Sequence, residues 1–338
     1  MSMNFRSKNI LITGGLGFIG SNFIKFLDKK YLGINIFNLD SLTYAGNLEN
    51  IDNKNFRNKY ELIKGDICDK DLVRSIFNDY NIDGVINFAA ESHVDNSIKN
   101  PEIFIKSNII GVQNLIFNAY KLWMKSPHIN NPNLAHARFH QISTDEVYGS
   151  ILKGSFKEEN KYAPNSPYSA SKASADMIVR SFNKTYGLNT TITISSNNFG
   201  PNQHNEKLIP KLIYCLLNEK QIPVYGDGLN VRDWIFVEDH CAAVDIVYNN
   251  SLPGKIYNIA GKNEYSNLEL IDIIYKKIKN YKKINKNIVF VEDRFGHDRR
   301  YSININKINR ELNWRPELDF EKKLNGYIKN QINKNEGL

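Results

Sequence analysis

"NILITGGLGFIGSNF", residues 9–23, decides the fold of this 338-residue chain. Asn9–Thr13 is a short, mostly apolar run that reads as a buried strand, and a helical pattern follows from Phe18 to Lys30. Between them, glycines fall at positions 14, 17 and 20. Glycines at such a junction let the chain turn tightly, let backbone approach a pyrophosphate and let the helix pack closely on the sheet. The first turn of the helix then points its free N–H groups at the phosphates. Gly14, Gly17, Phe18, Ile19 and Gly20 are therefore the expected dinucleotide cradle.

Outward from this turn, strand and helix patterns alternate. "INIFNLD" (34–40), "YELIKGD" (60–66), "VINFAA" (85–90), "RFHQIST" (138–144) and "TITISS" (191–196) read as further strands. Their nearly continuous apolar character suits a parallel sheet covered on both faces. Helical patterns occupy roughly 69–80, 101–124 and 168–186, while "KSPHINNPNLAHA" (125–137) reads as a surface loop. The expected fold is α/β: a Rossmann-like, doubly wound parallel sheet with a smaller mixed α/β lobe. The boundary is expected near residue 196, with 1–196 the nucleotide-binding domain and 197–338 mainly the substrate lobe, from which about 231–260 returns to the first domain. Beyond 197 the chain is rich in Gly, Asn, Pro and charge, as in "NNFGPNQHNEKLIP" and "DRFGHDRRYSININ". Those segments read as loops presenting polar groups.

Asp40 ends the second strand about twenty residues after the glycines, where a carboxylate accepts both ribose hydroxyls and repels a 2′-phosphate. NAD is thereby favoured over NADP. Asp66 and Ile67, after the third strand, are placed to meet adenine, and the small residues of "NFAAES" (87–92) let backbone come near the cofactor.

The reacting groups follow from two further stretches. "YSASK" sets Tyr168 and Lys172 on one helix face. A free tyrosine has a pKa near ~10, so it serves as a base only when a nearby ammonium and the positive nicotinamide stabilise the phenolate. "STDEVYG" ends a strand with Thr144, Asp145 and Glu146, and adjacent acids there are unusual because successive strand residues face opposite sides. Oxidation of a hydroxyl alone needs Thr, Tyr and Lys. Elimination of water needs two carboxyl groups more, one ionised and one protonated.

Jointly with "DSLTYAGNLEN", "NFAAESHVDNSI", "SPYSASKASAD", "SSNNFGPNQ", "NVRDWIFVEDH" and "GHDRRY", these motifs give a chain that resembles the dTDP-glucose 4,6-dehydratases, extended short-chain dehydrogenases, over essentially its whole length. The glycine spacing GxxGxxG points to that same branch. The resemblance implies that Tyr168 is the base for oxidation at carbon 4, Lys172 holds the nicotinamide ribose and Thr144 bonds the carbon 4 oxygen. Glu146 would take the carbon 5 proton and Asp145 would protonate the leaving hydroxyl on carbon 6. It adds Thr43, Ala45, Gly46, Ala89 and Asn108 to the cofactor contacts. It maps nucleotide and sugar contacts to Glu91, Ser92, Asn197, Lys207, Arg232, Asn267 and His297. It also implies a homodimer paired through the helices at about 101–124 and 168–186, where Ile105, Ile109, Val112 and Leu115 suit either pairing or packing on the sheet. Sugar 4-epimerases, UDP-glucuronate decarboxylases and dehydratases of other nucleotide sugars are the alternatives within the branch. Epimerases and decarboxylases have no need of the paired acids.

Composition narrows the partners. The net charge is +8, yet the 44 Lys and Arg are spread along the chain without a long basic run, so no nucleic-acid partner is expected. Three scattered cysteines without a CxxC suit a reducing compartment. The seven histidines form no metal motif, and none is expected. His93 reads as structural. "MSMNFRSKNILITGG" lacks the apolar core of a signal peptide, and no run of about 18 apolar residues offers a membrane span. The expected location is cytoplasmic.

Overall fold

The structure is a computed structural model that describes residues 5–317 and 319–335. The outermost residues of the two expected domains, 1–4 and 336–338, and the residues before Phe5 of the stretch read for a signal peptide, lie outside the described residues.

Seven strands form the central sheet: β1 (Asn9–Thr13), β2 (Asn35–Asp40), β3 (Lys59–Lys64), β4 (Gly84–Asn87), β5 (Arg138–Thr144), β6 (Thr190–Ser195) and β7 (Lys255–Ile259). Their order is β7-β6-β5-β4-β1-β2-β3, and every neighbouring pair is parallel. This is the doubly wound, Rossmann-like arrangement. Helices cover both faces, so β1, β4 and β6 are buried almost throughout, which explains their unbroken apolar or Thr-rich runs. From β1 the chain builds outward to β3, then crosses to the other side of β1 for β4. The crevice beyond the carboxyl ends of β1 and β4 is the switch point where such sheets bind ligands.

Four local features depart from the expected pattern. β4 ends at Asn87, short of Ala90, because its partner β1 turns away at Gly14 and the ladder closes with Phe88 N donating to Thr13 O. The helical stretch expected at 101–124 is Pro101–Ile105, a π-helical turn Lys106–Gly111 and Val112–Trp123. Asn108 sits in that turn with its amide fastened to Glu91 and Ser171, and such bulges concentrate at functional sites. The expected loop 125–137 contains a short antiparallel pair, Met124–Ser126 with Ile129–Asn130. The polar stretches after 197 include ordered strands: Asn197–Phe199 and Glu264–Ser266 flank Val231–Phe236, and Ile222–Tyr225 pairs with Ile288–Val291.

Two apolar clusters hold these parts. One surrounds the central sheet and includes Val244, Val247 and Tyr248 of the helix Val237–Asn250. The other lies among the helices Leu208–Leu217, Asn267–Lys279 and Phe320–Asn335, with Phe199, Trp234, Ile274 and Leu324 at its centre. Among the described residues no helix is long and apolar enough to cross a membrane.

Candidate active site

A cleft of about 520 Å³ opens at the switch point. One half is built from backbone. Gly14 has φ +67, and a Cβ there would lie 2.7 Å from the Ala89 backbone, so the turns after β1 and β4 touch only because residue 14 has no side chain. A Cβ on Gly20 would meet Gly14 O at 2.4 Å. The helix Phe18–Lys30 begins at Gly17 without a side-chain cap, which leaves its first N–H groups facing the cleft. That cradle fits a pyrophosphate. Asp40 is buried at the end of β2, its Oδ2 accepting from Leu16 N (2.9 Å) and its Oδ1 from Leu42 N (2.8 Å). Those bonds aim the carboxylate and leave each oxygen a second lone pair for a ribose hydroxyl. Thr43, Ala45, Gly46, Asp66, Ile67 and Ala89 line the same half. Asn108 does not line it: only 1% exposed, it braces the wall through Glu91 and Ser171.

The other half carries the reacting side chains. Ser166 and Ser169 form a reciprocal capping box, with Pro167 in the first turn, so the helix Pro167–Tyr186 starts immediately before Tyr168. Tyr168 and Lys172 then stand on one face, both lining the cleft. Lys172 Nζ donates to Ile142 O at 2.7 Å, and burial pushes its pKa down to about 8. The phenol of Tyr168 is not lowered by the protein, contrary to what the Tyr-Lys spacing suggests. Burial pushes it up, the Glu146 carboxylate pushes it further, and the Thr144 hydroxyl bond opposes them.

Thr144 ends β5 and caps a single 3₁₀ turn, Asp145–Tyr148, accepting from Glu146 N at 3.4 Å. The turn sends both acids toward the cleft instead of to opposite faces of a strand. Their environments differ. Asp145 is 2% exposed and its Oδ2 has no hydrogen-bond partner among the described residues. Burial, then the Glu146 charge, holds its carboxyl well above the usual range. Burial also raises Glu146, but Arg232 and Lys207 pull it back toward the carboxylate.

Glu91, Ser92, Asn197 and Lys207 line the cleft. Lys207 Nζ donates to Ser92 O at 3.1 Å and lies 3.6 Å from Glu206 Oε1. Arg232, Asn267 and His297 stand outside the lining. Arg232 is no surface charge: it is 9% exposed, stacks 4.1 Å over the Tyr301 ring and donates to Asp298 O at 2.9 Å. His297 bonds Asp293 Oδ1 at 2.6 Å, and burial lowers its pKa. Asn267 opens the helix Asn267–Lys279, where its backbone N–H donates to Asn230 O. His93 is a cap, accepting from Asn96 N.

Sequence reasoning missed Ser107, Ser195, Ser196, Asn198, Gln203 and Glu206, which also line the cleft. "SSNNFGPNQHNEK" offered the signal for most of them, because a polar run directly after β6 has to leave the sheet at its ligand-binding edge.

With this geometry in view, comparison with known proteins is decisive. A family model described as GDP-mannose 4,6 dehydratase matches residues 11–326. A dTDP-glucose 4,6-dehydratase of Salmonella typhimurium is 45% identical over 329 residues, covering 92% of this chain and 89% of that protein. This chain belongs to the dTDP-glucose 4,6-dehydratase family of extended short-chain dehydrogenases. Among solved family structures, DesIV from Streptomyces venezuelae, a dTDP-glucose 4,6-dehydratase with NAD bound, superimposes with a TM-score of 0.87 at 38% identity, covering 97% of this chain and 98% of that one. A Thermotoga maritima UDP-glucose 4-epimerase has a TM-score of 0.84 at 26% identity, covering 96% and 99%. The fold is thus shared with epimerases, and distinguishing the dehydratase family falls to sequence identity and to the site.

Proposed function

We propose that this protein is an NAD-dependent dTDP-glucose 4,6-dehydratase, a hydro-lyase of deoxysugar biosynthesis that forms dTDP-4-dehydro-6-deoxy-glucose. The observation that carries the reading is the pair Asp145–Glu146, turned together into the cleft beside Tyr168, with Asp145 buried and its carboxyl held well above the usual range, and Glu146 opposed by the charges of Arg232 and Lys207. An epimerase has no step that uses such a pair.

Gly14, Gly17, Gly20 and Asp40 would hold an NAD, which when bound would supply hydride transfer from and back to the sugar and so be regenerated each turnover. Tyr168 removes the proton of the carbon 4 hydroxyl, and Thr144 bonds that oxygen. The phenol starts high in the protein with Lys172 already in place, so its activation would require the positive nicotinamide of bound NAD beside it. Once carbon 4 is a ketone, the carbon 5 proton is acidic and Glu146 takes it. Asp145 protonates the departing carbon 6 hydroxyl, which is why its carboxyl has to be kept neutral at working pH. Arg232 and Lys207 fit the nucleotide diphosphate as charge partners, and the same cations oppose the upward shift that burial gives Glu146. Glu91, Ser92, Asn197, Asn267 and His297 complete the sugar-nucleotide side in this assignment.

The reading extends to assembly and location. Val112 and Leu115 are fully committed to the sheet, whereas Ile103, Ile105, Ile110, Phe117 and Met177 are exposed on the two helical stretches. That apolar surface supports a homodimer paired there. The cytoplasm is the location consistent with three free cysteines. The proposed division sets residues to 196 and the segment of about 231–260 around the sheet, with the remainder of 197–338 as the sugar-nucleotide lobe; the two apolar clusters support it in the main, while Ile303, Ile305, Ile308 and Trp314 join the sheet's cluster and Trp234 the other.

Mass spectrometry of dTDP-glucose incubated with the purified protein, without added NAD, tests the proposal. Loss of one water is the expected result. An unchanged mass with NAD supplied would overturn it, and loss of water from UDP- or GDP-sugars in place of dTDP-glucose would move the substrate within the family.

A further inference from the structure

Asp176 lies one helical turn beyond Lys172 and two beyond Tyr168 on the helix Pro167–Tyr186. It is fully buried. Its Oδ2 accepts hydrogen bonds from Ser143 Oγ at 2.6 Å and Tyr162 O–H at 3.2 Å. Its Oδ1 has no hydrogen-bond partner among the described residues. Ser143 immediately precedes Thr144 on β5, and Tyr162 packs edge-on against Tyr148, at the end of the turn that carries the paired acids. One carboxylate therefore joins the two elements that deliver the reacting groups. A buried, half-satisfied carboxylate is costly unless charge opposes it, and the opposing charges here are the buried Lys172 one turn away and, to a smaller extent, Arg180.

Resting on the dehydratase reading above, we propose that Asp176 is a positioning residue for the oxidation step: its carboxylate balances the charge of Lys172 and, through Ser143, ties the Tyr168 helix to the strand end that bears Thr144, Asp145 and Glu146. It touches neither sugar nor cofactor and acts through Lys172.

The groups facing Asp176 are Lys172, Tyr168 and Arg180 on its own helix, Tyr162 from the preceding loop and Tyr148 from the turn. Burial raises Asp176 to about 6, against the Ser143 bond and the Lys172 charge, which lower it. Burial lowers Lys172 to about 8, and Asp176 is the influence that raises it. Between those values both are ionised. Asp176→Asn keeps the shape and removes the charge, so Lys172 gives up its proton at lower pH and the alkaline limb of oxidation moves down. The charge also raises Tyr168, but as the last and smallest of the influences there, so the effect on Lys172 governs.

The experiment is single-turnover reduction of NAD, read by absorbance, with dTDP-glucose across pH, for wild type and Asp176→Asn. The alkaline limb is expected to shift down by about one pH unit, with roughly tenfold loss on that limb and little change in KM. A second readout is independent of turnover: the Cε shift of Lys172 in 13C-lysine-labelled protein, assigned by Lys172→Arg, should titrate at lower pH in the variant. If Asp176→Asn fails to fold, Tyr162→Phe serves, since removing that hydrogen bond should raise Asp176 and move the acid limb to higher pH. A uniform loss of rate with both limbs and the Lys172 titration unchanged would reduce Asp176 to a structural strut and overturn the proposal, as would no change at all. A wild type that removes no water from dTDP-glucose would instead sink the reaction assigned above, and the NMR titration would still decide the Lys172–Asp176 coupling.

Discussion

The two halves of the cleft are made differently. The cofactor half is backbone: glycines, helix N–H groups and a carboxylate aimed by Leu16 and Leu42, within a short span around β1 and β2. The reacting half is side chains, gathered from β5 and the turn after it, the Tyr168 helix, the segment after β6 and the loop before Leu208, with Arg232 of the strand Val231–Phe236 acting from outside the lining. A backbone cradle responds to steric change, whereas a gathered set of charges responds to electrostatic change. The comparison predicts which substitutions stop chemistry and which only move its pH dependence.

The largest effect should come from Tyr168→Phe. Loss of the base should slow NAD reduction by dTDP-glucose by about a thousandfold, within the range for general bases, while retained NAD in the purified protein stays normal. Undiminished reduction would overturn the division of labour between the halves. Next, Glu146→Gln should still oxidise carbon 4, so reduced cofactor accumulates, but release of dehydrated product should fall roughly a hundredfold. Dehydrated product at the native rate would remove Glu146 from elimination. Gly14→Ala tests the cradle. The new methyl needs φ +67 and meets the Ala89 backbone, a strain of about 1–3 kcal/mol that should appear as lost NAD content and a lower Tm, with both acids untouched. The smallest effect is expected of Arg232→Gln. Arg232 pulls Glu146 toward the carboxylate, so its loss raises that carboxyl further. Since the base acts ionised, activity rises with pH through its pKa, and the acid limb of elimination should move to higher pH, with KM for the sugar nucleotide up by about tenfold. An unmoved limb would confine Arg232 to the diphosphate.

Much of this was legible in the chain. The strand, the three glycines and Asp40 are local in sequence, and each has a geometric role that only its own neighbours are needed to define. The Tyr168–Lys172 spacing and the acid pair were equally readable. The bracing of Asn108 was not, because a π-helical turn that the periodicity does not reveal points its amide at Glu91 and Ser171. Arg232 could have been a surface charge on sequence grounds, until Tyr301 and Asp298 buried it.

The sequence by itself therefore determined the fold, the cofactor cradle and which residue types would do the chemistry, since periodicity and glycine spacing act over a few residues. Only the tertiary structure showed how differently the two acids are surrounded, what charge lies near Lys172 and in which direction burial shifts the phenol of Tyr168. Those are matters of burial and of charges brought from distant segments: Arg232 meets Asp298 across 66 residues and Ser143 meets Asp176 across 33. Burial and long-range charge exist only once the chain has closed on itself.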